Sequence, residues 1–545
     1  MESRLFRRTL KGFPPSEENK KRKGCSRSRA ISAAVRTGDT YCGDLYGIFE
    51  SAPGKALKRR NQTEAPPVPC HESRKKGKQN LRQNVRDRIQ AFPSGMENSR
   101  AAVEAPHGKG DDQVEQLVIR GNILFTSQKE ELRTVPRGYL ICRDGVCQGV
   151  FQSLPEEYWD IPVTDYGDAL IIPGLVDLHT HAPQYSFRGT GMDCELLEWL
   201  HWYAFPEEAR YVNLDYAFLS YGLFAGQMER SATTRAVIFG TIHREATLLL
   251  MDLMEKTGIV SYVGKVNMDR NAPDELREPS PDASAFDTFG FVNGAVKRGY
   301  RRTMPILTPR FIPSCSDALL RELSEVRKAY DLPVQSHLSE NPEEVELVRQ
   351  LVPSAAFYGE GYERFGLFGG EAKTVMAHCV YSTPEEVERI RQNGVWVAHC
   401  PNSNMNICSG IAPIRRYLEK GIRVGLGSDV AGGQTESMFR AITDAIQVSK
   451  LRWRYLDSEA LPLSFPEAFY LATKGGGSFF GQVGSFEPGY ELDAIVLDDS
   501  LIRHPYALTL AERLERAVYL GLDQFGIRAK YVRGTRVFRD DGGRR

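Results

Sequence analysis

The sequence sets two histidines one residue apart, His179-Thr180-His181, at the end of the β-prone run IIPGLVDL. In an extended segment the side chains at i and i+2 point to the same side, so both imidazoles can turn toward one ion. Neutral imidazole nitrogen suits zinc or ferrous iron. A third histidine, His337, stands in VQSHLSE, and Asp429 in GLGSDVAGG offers a carboxylate oxygen. Three imidazoles and one carboxylate leave room for a water, as a hydrolytic site requires, and a cation so held lowers that water's pKa from about 15.7 toward about 7. Glu340 follows His337 by three residues and is a candidate acid/base, taking a proton from the attacking water and passing it to a substrate. His378, in TVMAHCV, is a candidate hydrogen-bond partner of the attacking hydroxide or of a developing oxyanion. His399 and His243 also fall near strand ends and are read as structural supports. His71, His107, His201 and His504 have no comparable setting.

Residues so far apart in sequence meet only if the fold gathers them. Short β-prone runs recur at 171–179, 234–242, 260–268, 303–311, 334–338, 374–379, 395–400 and 423–428. Helical patterns such as ALLRELSEVRKAYD, PEEVERIRQNG and PIRRYLEKG lie between them. Alternation of this kind implies parallel βα units. Eight units favour a closed (β/α)8 barrel of the TIM type over an open doubly wound sheet. A parallel barrel brings all strand C-termini to one face, and that is where His179, His181, Arg310, His337, His378, His399 and Asp429 fall. The expected barrel spans 173–484. Alternating strands at 113–172 and 485–545 are expected to pair into a small β-sandwich domain.

Composition fits a large globular chain: 545 residues, 41% hydrophobic and 26% charged. No run approaches the roughly 18 apolar residues of a membrane span, and no apolar stretch follows the basic start as in a secretory leader. The 10 cysteines include no CxxC pair, which argues against a zinc ribbon and for reduced thiols inside the cell, with the cytoplasm as the default compartment. Net charge is zero, yet residues 1–110 hold 24 Lys and Arg against 11 Asp and Glu. The basic runs KKRK, KRR and RKKGK sit among Ser, Pro and Gly without periodicity. The segment 1–112 is therefore expected to be a disordered basic extension, with nucleic-acid binding or import as its alternatives to a plain solvated tail.

Taken in order, PGLVDLHTHA, QSHLSE, MAHC, AHCPNSN and GSDVAGG resemble the amidohydrolase superfamily, over roughly residues 113–540. Two-metal members of that superfamily carry a modified lysine at the end of the fourth strand. Here the strand reads PILTPRF, with Arg310 in place of lysine, which points to a single metal. Within the superfamily, HTHAPQYSFRGTGMD, LLEWLHWYAFPEEARY, FGTIH, VGKVNMDRN, TPRFIPSCS and QSHLSEN are similar to segments of the guanine deaminases. Pro183 departs from a frequent serine, while Gln184 is retained. The resemblance implies metal ligation by His179, His181, His337 and Asp429, with Zn2+ expected and Fe2+ open. It implies purine contacts from Gln184, Arg310 and Phe311, with His337, Glu340 and Asp429 bordering the same ligand. Glu340, Asp429 and His378 would be catalytic, the substrate guanine, the product xanthine and the assembly a homodimer. Two alternatives stand beside it: deamination of another amino-heterocycle of adenosine, cytosine or triazine type, and a non-enzymatic scaffold that has kept the barrel.

Overall fold

A computed structural model describes residues 116–540. The expected basic extension at 1–112 lies outside the described residues, as do 113–115 and 541–545. Four strands open the described chain: β1 (Gln116–Gln128), β2 (Glu131–Arg143), β3 (Val146–Phe151) and β4 (Val163–Pro173). Asp144 and Gly145 both take positive φ, 52° and 79°, the left-handed pair that suits a two-residue hairpin between β2 and β3. Ten strands follow: β5 (Leu175–His181), β6 (Thr233–Phe239), β7 (Val260–Gly264), β8 (Val266–Asn267), β9 (Thr303–Pro305), β10 (Thr308–Pro309), β11 (Val334–Leu338), β12 (Thr374–His378), β13 (Trp396–His399) and β14 (Arg423–Leu426). The last three are β15 (Ala494–Leu497), β16 (Ile527–Val532) and β17 (Thr535–Arg539).

The flanking strands pair in one sheet of seven, in the order β17-β16-β15-β4-β1-β2-β3. Where a sandwich was expected, hydrogen bonds run without a break from β17 to β3. β4 is the hinge of the arrangement, parallel to β1 on one side and antiparallel to β15 on the other. A separate apolar cluster that includes Ile119, Phe125, Leu140, Ile171, Phe486, Val496 and Tyr531 belongs to this sheet. The run 171–179 thus divides between two sheets. Pro173 ends β4 and Gly174 separates it from β5, at a close approach where a Cβ would stand 2.2 Å from Thr234 Oγ1.

In the central region every ladder is parallel. β5-β6-β7-β9 form one four-stranded sheet, β11-β12-β13-β14 another, and β8 pairs with β10. The fourth expected run, 303–311, is two short pieces, since Pro305 and Pro309 have no N–H to give to a ladder. A bridge from Leu307 to Val334 links the two halves on one side. On the other, Asp429 N–H donates to the His179 carbonyl at 2.8 Å and His181 N–H donates to Val430 at 3.1 Å. The intervening helices form where capped amphipathic stretches permit. Asp317–Tyr330 starts on the Ser316 hydroxyl, which accepts from Leu319 N–H, and buries Leu319, Leu320, Leu323 and Val326. Pro384–Gln392 starts on Thr383 in the same way. No helix among the described residues is long and apolar enough to cross a membrane.

Buried charge fastens the seven-stranded sheet to the parallel strands. Arg235 of β6 donates Nε to Asp493 at 2.5 Å and Nη2 to Glu491 at 2.9 Å. Lys530 of β16 is fully buried and donates Nζ to the carbonyls of Met228 and Thr233 at 2.8 and 2.9 Å. Burial lowers the Lys530 ammonium from its ordinary 10.5 to about 7. The unfolded chain then binds this proton more readily than the folded one, so folding gains stability as pH rises from about 7 toward about 10.5. Lys530→Met should remove that contribution. Urea midpoints at pH 7 and pH 9 are the check, with the wild type gaining more between the two than the variant.

Candidate active site

Where β5, β11 and β14 end, three imidazoles and a carboxylate crowd one point. His181 Nε2 lies 3.2 Å from His179 Nε2 and 3.2 Å from His337 Nε2. Asp429 Oδ1 lies 3.1 Å from His179 Nε2 and 3.3 Å from His181 Nε2. Donors about 2.1 Å from a tetrahedral ion stand about 3.4 Å apart, so these spacings suit four ligands of one cation. The donor set of nitrogen and oxygen also suits zinc-like metals. His337 Nδ1–H donates a hydrogen bond to the Arg310 carbonyl at 2.7 Å, which leaves Nε2 with its lone pair facing the cluster.

Electrostatics favour the neutral imidazoles that metal binding needs. Burial pulls His181 down to about 4, Asp429 notwithstanding. Burial likewise lowers His179, and burial together with the neighbouring histidines holds His337 well below its ordinary range. Asp177 braces the cluster from behind. It is fully buried, its Oδ1 accepts from the N–H groups of His179 and Ser428, and its Oδ2 accepts the Ser428 hydroxyl at 2.5 Å. Backbone geometry at the site is unusual: Ser339, His378, Cys379 and Asp429 all adopt positive φ, between 48° and 74°. Non-glycine residues held this way cost on the order of 1 kcal/mol or more each and gather at functional sites.

A small cavity opens beside the cluster. His181, His337, His378, Glu340 and Asp429 form its polar wall, and Leu196, Trp199, Leu200, Phe311 and Ile407 its apolar one. Gln184 and Arg310 also line it. Glu340 is buried, with Oε1 accepting from Ser409 at 3.0 Å and Oε2 3.4 Å from His378 Nε2. Burial first, then the charges of Asp429 and Glu344, push Glu340 well above the usual carboxylate range. His378 Nε2 also sits 3.6 Å from Asp429 Oδ2, while its Nδ1–H donates to Asn404 Oδ1 at 2.9 Å. The site therefore pairs a Lewis-acid binding cluster with a proton carrier and an oriented imidazole, an equipment for hydrolysis.

Every residue singled out for chemistry in the sequence lies in this constellation. The structure sets His399 apart from it. His399 is buried beside Ala445, Ser449 and Arg452, in a separate pocket. His243 lines a surface groove with Arg277 and Glu278. His201 packs on Trp202 and His504 on Tyr506. His71 and His107 lie outside the described residues. Sequence reasoning missed Glu208, Asn404, Ser409 and Asp177. Glu208 is the most consequential of them. It is 1% exposed and accepts from Gln184 Nε2 at 2.8 Å and from Arg310 Nη1 at 2.5 Å. Its neighbourhood, FPEEARY, resembles an ordinary charged helix turn, and only the tertiary fold turns this carboxylate inward.

Residues 170–537 match the model of the amidohydrolase family. The guanine deaminase of Dictyostelium discoideum is 37% identical over 444 residues, covering 77% of this chain and 98% of that protein. The Homo sapiens guanine deaminase is 40% identical over 377 residues, covering 67% of this chain and 82% of that protein. Among solved structures, guanine deaminase from C. acetobutylicum with bound guanine in the active site superposes with a TM-score of 0.75 at 46% identity, over 78% of this chain and 100% of that one.

Proposed function

This chain belongs to the amidohydrolase family, and on that footing we propose that it is a hydrolase of guanine, exchanging the 2-amino group for oxygen to give xanthine and ammonia. The observation that carries the reading is the convergence of His179, His181, His337 and Asp429, with neighbouring donor atoms 3.1–3.3 Å apart, beside the cavity that Glu340 also lines. The two ladders, joined at Leu307–Val334 and at Asp429–His179, are read as a (β/α)8 barrel spanning 173–484. The seven-stranded sheet is read as a small domain built from 113–172 and 485–545. Zinc as the metal, a homodimer as the assembly and the cytoplasm as the compartment complete the proposal.

When bound at the four ligands, zinc would supply Lewis acidity that brings the pKa of a water from about 15.7 toward about 7. The rest falls to side chains. Gln184 and Arg310 would hold the purine by its polar edge, and Phe311 with Trp199 and Leu200 would enclose its faces and exclude water. Glu340 would take the proton lost from water as its oxygen bonds to C2, and return it to a ring nitrogen. In the second half the same carboxyl would move a proton to the exocyclic amine, so that ammonia leaves as the C2 carbonyl forms. His378, its Nδ1–H fixed on Asn404, would hold the attacking oxygen through Nε2. The atoms balance as guanine plus water to xanthine plus ammonia.

An ammonia-release assay across guanine, adenine, cytosine and their nucleosides tests the reading. Guanine should be consumed with equimolar xanthine, and the other compounds should not compete as substrates. Preferential turnover of another amino-heterocycle would replace guanine by that substrate, and no turnover by metal-loaded protein would leave the scaffold alternative. A chain lacking residues 1–110 should keep full turnover under the same assay. Loss of activity in that variant, with the remaining chain folded, would assign the basic segment a part in the reaction.

A further inference from the structure

We infer that Glu208 is a positioning residue that locks Gln184 and Arg310 as hydrogen-bond donors, so that the pocket selects purines with a carbonyl oxygen, and rejects those with an amino group, at the edge facing them. The inference rests on the guanine reading and adds to it the device that sets selectivity.

A glutamine amide has a donor end and an acceptor end, and the electron cloud alone does not say which faces a ligand. Here two neighbours decide. The Gln184 Oε1 accepts from Ala431 N–H at 3.0 Å, and its Nε2 donates to Glu208 Oε1 at 2.8 Å. A backbone N–H can only donate, and a carboxylate can only accept. Reversing the amide would set donor against donor at Ala431 and acceptor against acceptor at Glu208, losing both bonds together. One N–H of Gln184 remains for the cavity it lines. Arg310 carries donors only; Nη1 is held by Glu208 Oε2 at 2.5 Å, and the guanidinium lies over the Phe205 ring at 5.1 Å. Glu208 thus consumes one donor from each residue and fixes the direction of the others. Gln184, Arg310 and Glu208 are all buried, at 2%, 3% and 1% exposure, so bulk water offers no easy substitute partner for a mismatched ligand.

Such a wall bonds the oxygen at the 6-position of guanine. Facing a 6-amino group, it meets donors with donors. Hypoxanthine and adenine separate the two cases without turnover at C2, because both lack the 2-amino group. As competitive inhibitors of guanine deamination, hypoxanthine should bind at least about 100-fold more tightly than adenine. In Glu208→Gln the new amide can present either end, Gln184 keeps only the Ala431 N–H to orient it, and the preference should fall below about 10-fold. KM for guanine should rise at least about 10-fold while kcat changes far less, with metal content unchanged. Glu208→Asp, which keeps the carboxylate, should recover much of the preference.

Folded, metal-loaded Glu208→Gln that retains a 100-fold preference would overturn the inference. So would a wild-type chain that turns over guanine yet binds adenine within about 10-fold of hypoxanthine, and this arm decides the matter even if Glu208→Gln fails to fold. A wild type inactive on guanine would instead strike the proposed function itself.

Discussion

Replacing His337 by alanine should abolish metal binding and turnover together. The imidazole contributes Nε2 to the cluster at 3.2 Å from His181 and uses Nδ1–H on the Arg310 carbonyl at 2.7 Å. Its loss leaves two imidazoles and one carboxylate in a buried space, and leaves the Arg310 carbonyl with only the Ser336 hydroxyl, at 3.1 Å, in donor reach. With the cation gone, water at the site returns toward a pKa of about 15.7, and a loss of more than about 10^4-fold in turnover is expected. Elemental analysis and ammonia release measured on one preparation check both halves, with far-UV circular dichroism reporting that the chain is folded. A variant that stays active without metal would refute the ligand set.

Glu340→Gln should separate binding from chemistry. The amide has the size of the carboxyl, and its oxygen can still accept from Ser409, which stands 3.0 Å from Glu340 Oε1. It cannot take a proton from water or deliver one to the ring. Metal content should match the wild type, while turnover drops roughly 10²–10⁴-fold, the span ordinarily contributed by a positioned general acid/base. Guanine binding, measured by equilibrium dialysis, should persist. Unchanged turnover would move the proton-carrying role to Asp429 or His378, both of which reach the same space.

The parts of the site legible in the sequence were those whose residue types are scarce and whose positions obey the fold. Histidines at the ends of β-prone runs carry meaning because a parallel arrangement delivers strand C-termini to one face, and His179, His181, His337 and His378 all lie there. Asp429 was legible through the GSD sequence that follows β14. Glu208, Asn404 and Ser409 were not, since glutamate, asparagine and serine are common on surfaces, and their value comes from burial against Gln184, His378 and Glu340. Strand limits failed where proline intervened: Pro305 and Pro309 split one expected strand, and Pro173 with Gly174 split another between two sheets. The flanking pieces showed their β character plainly. Their union into one sheet of seven depends on β4 pairing with partners from both ends of the described chain, a long-range choice that local alternation does not encode.

Titration of metal-stripped protein with zinc, reading ammonia release from guanine at each addition, addresses the central claim most directly. Activity should climb in proportion to bound zinc and break sharply at one equivalent per chain, with further metal adding nothing. Full activity in the stripped protein, or a break at two equivalents, would contradict a single ion held by His179, His181, His337 and Asp429.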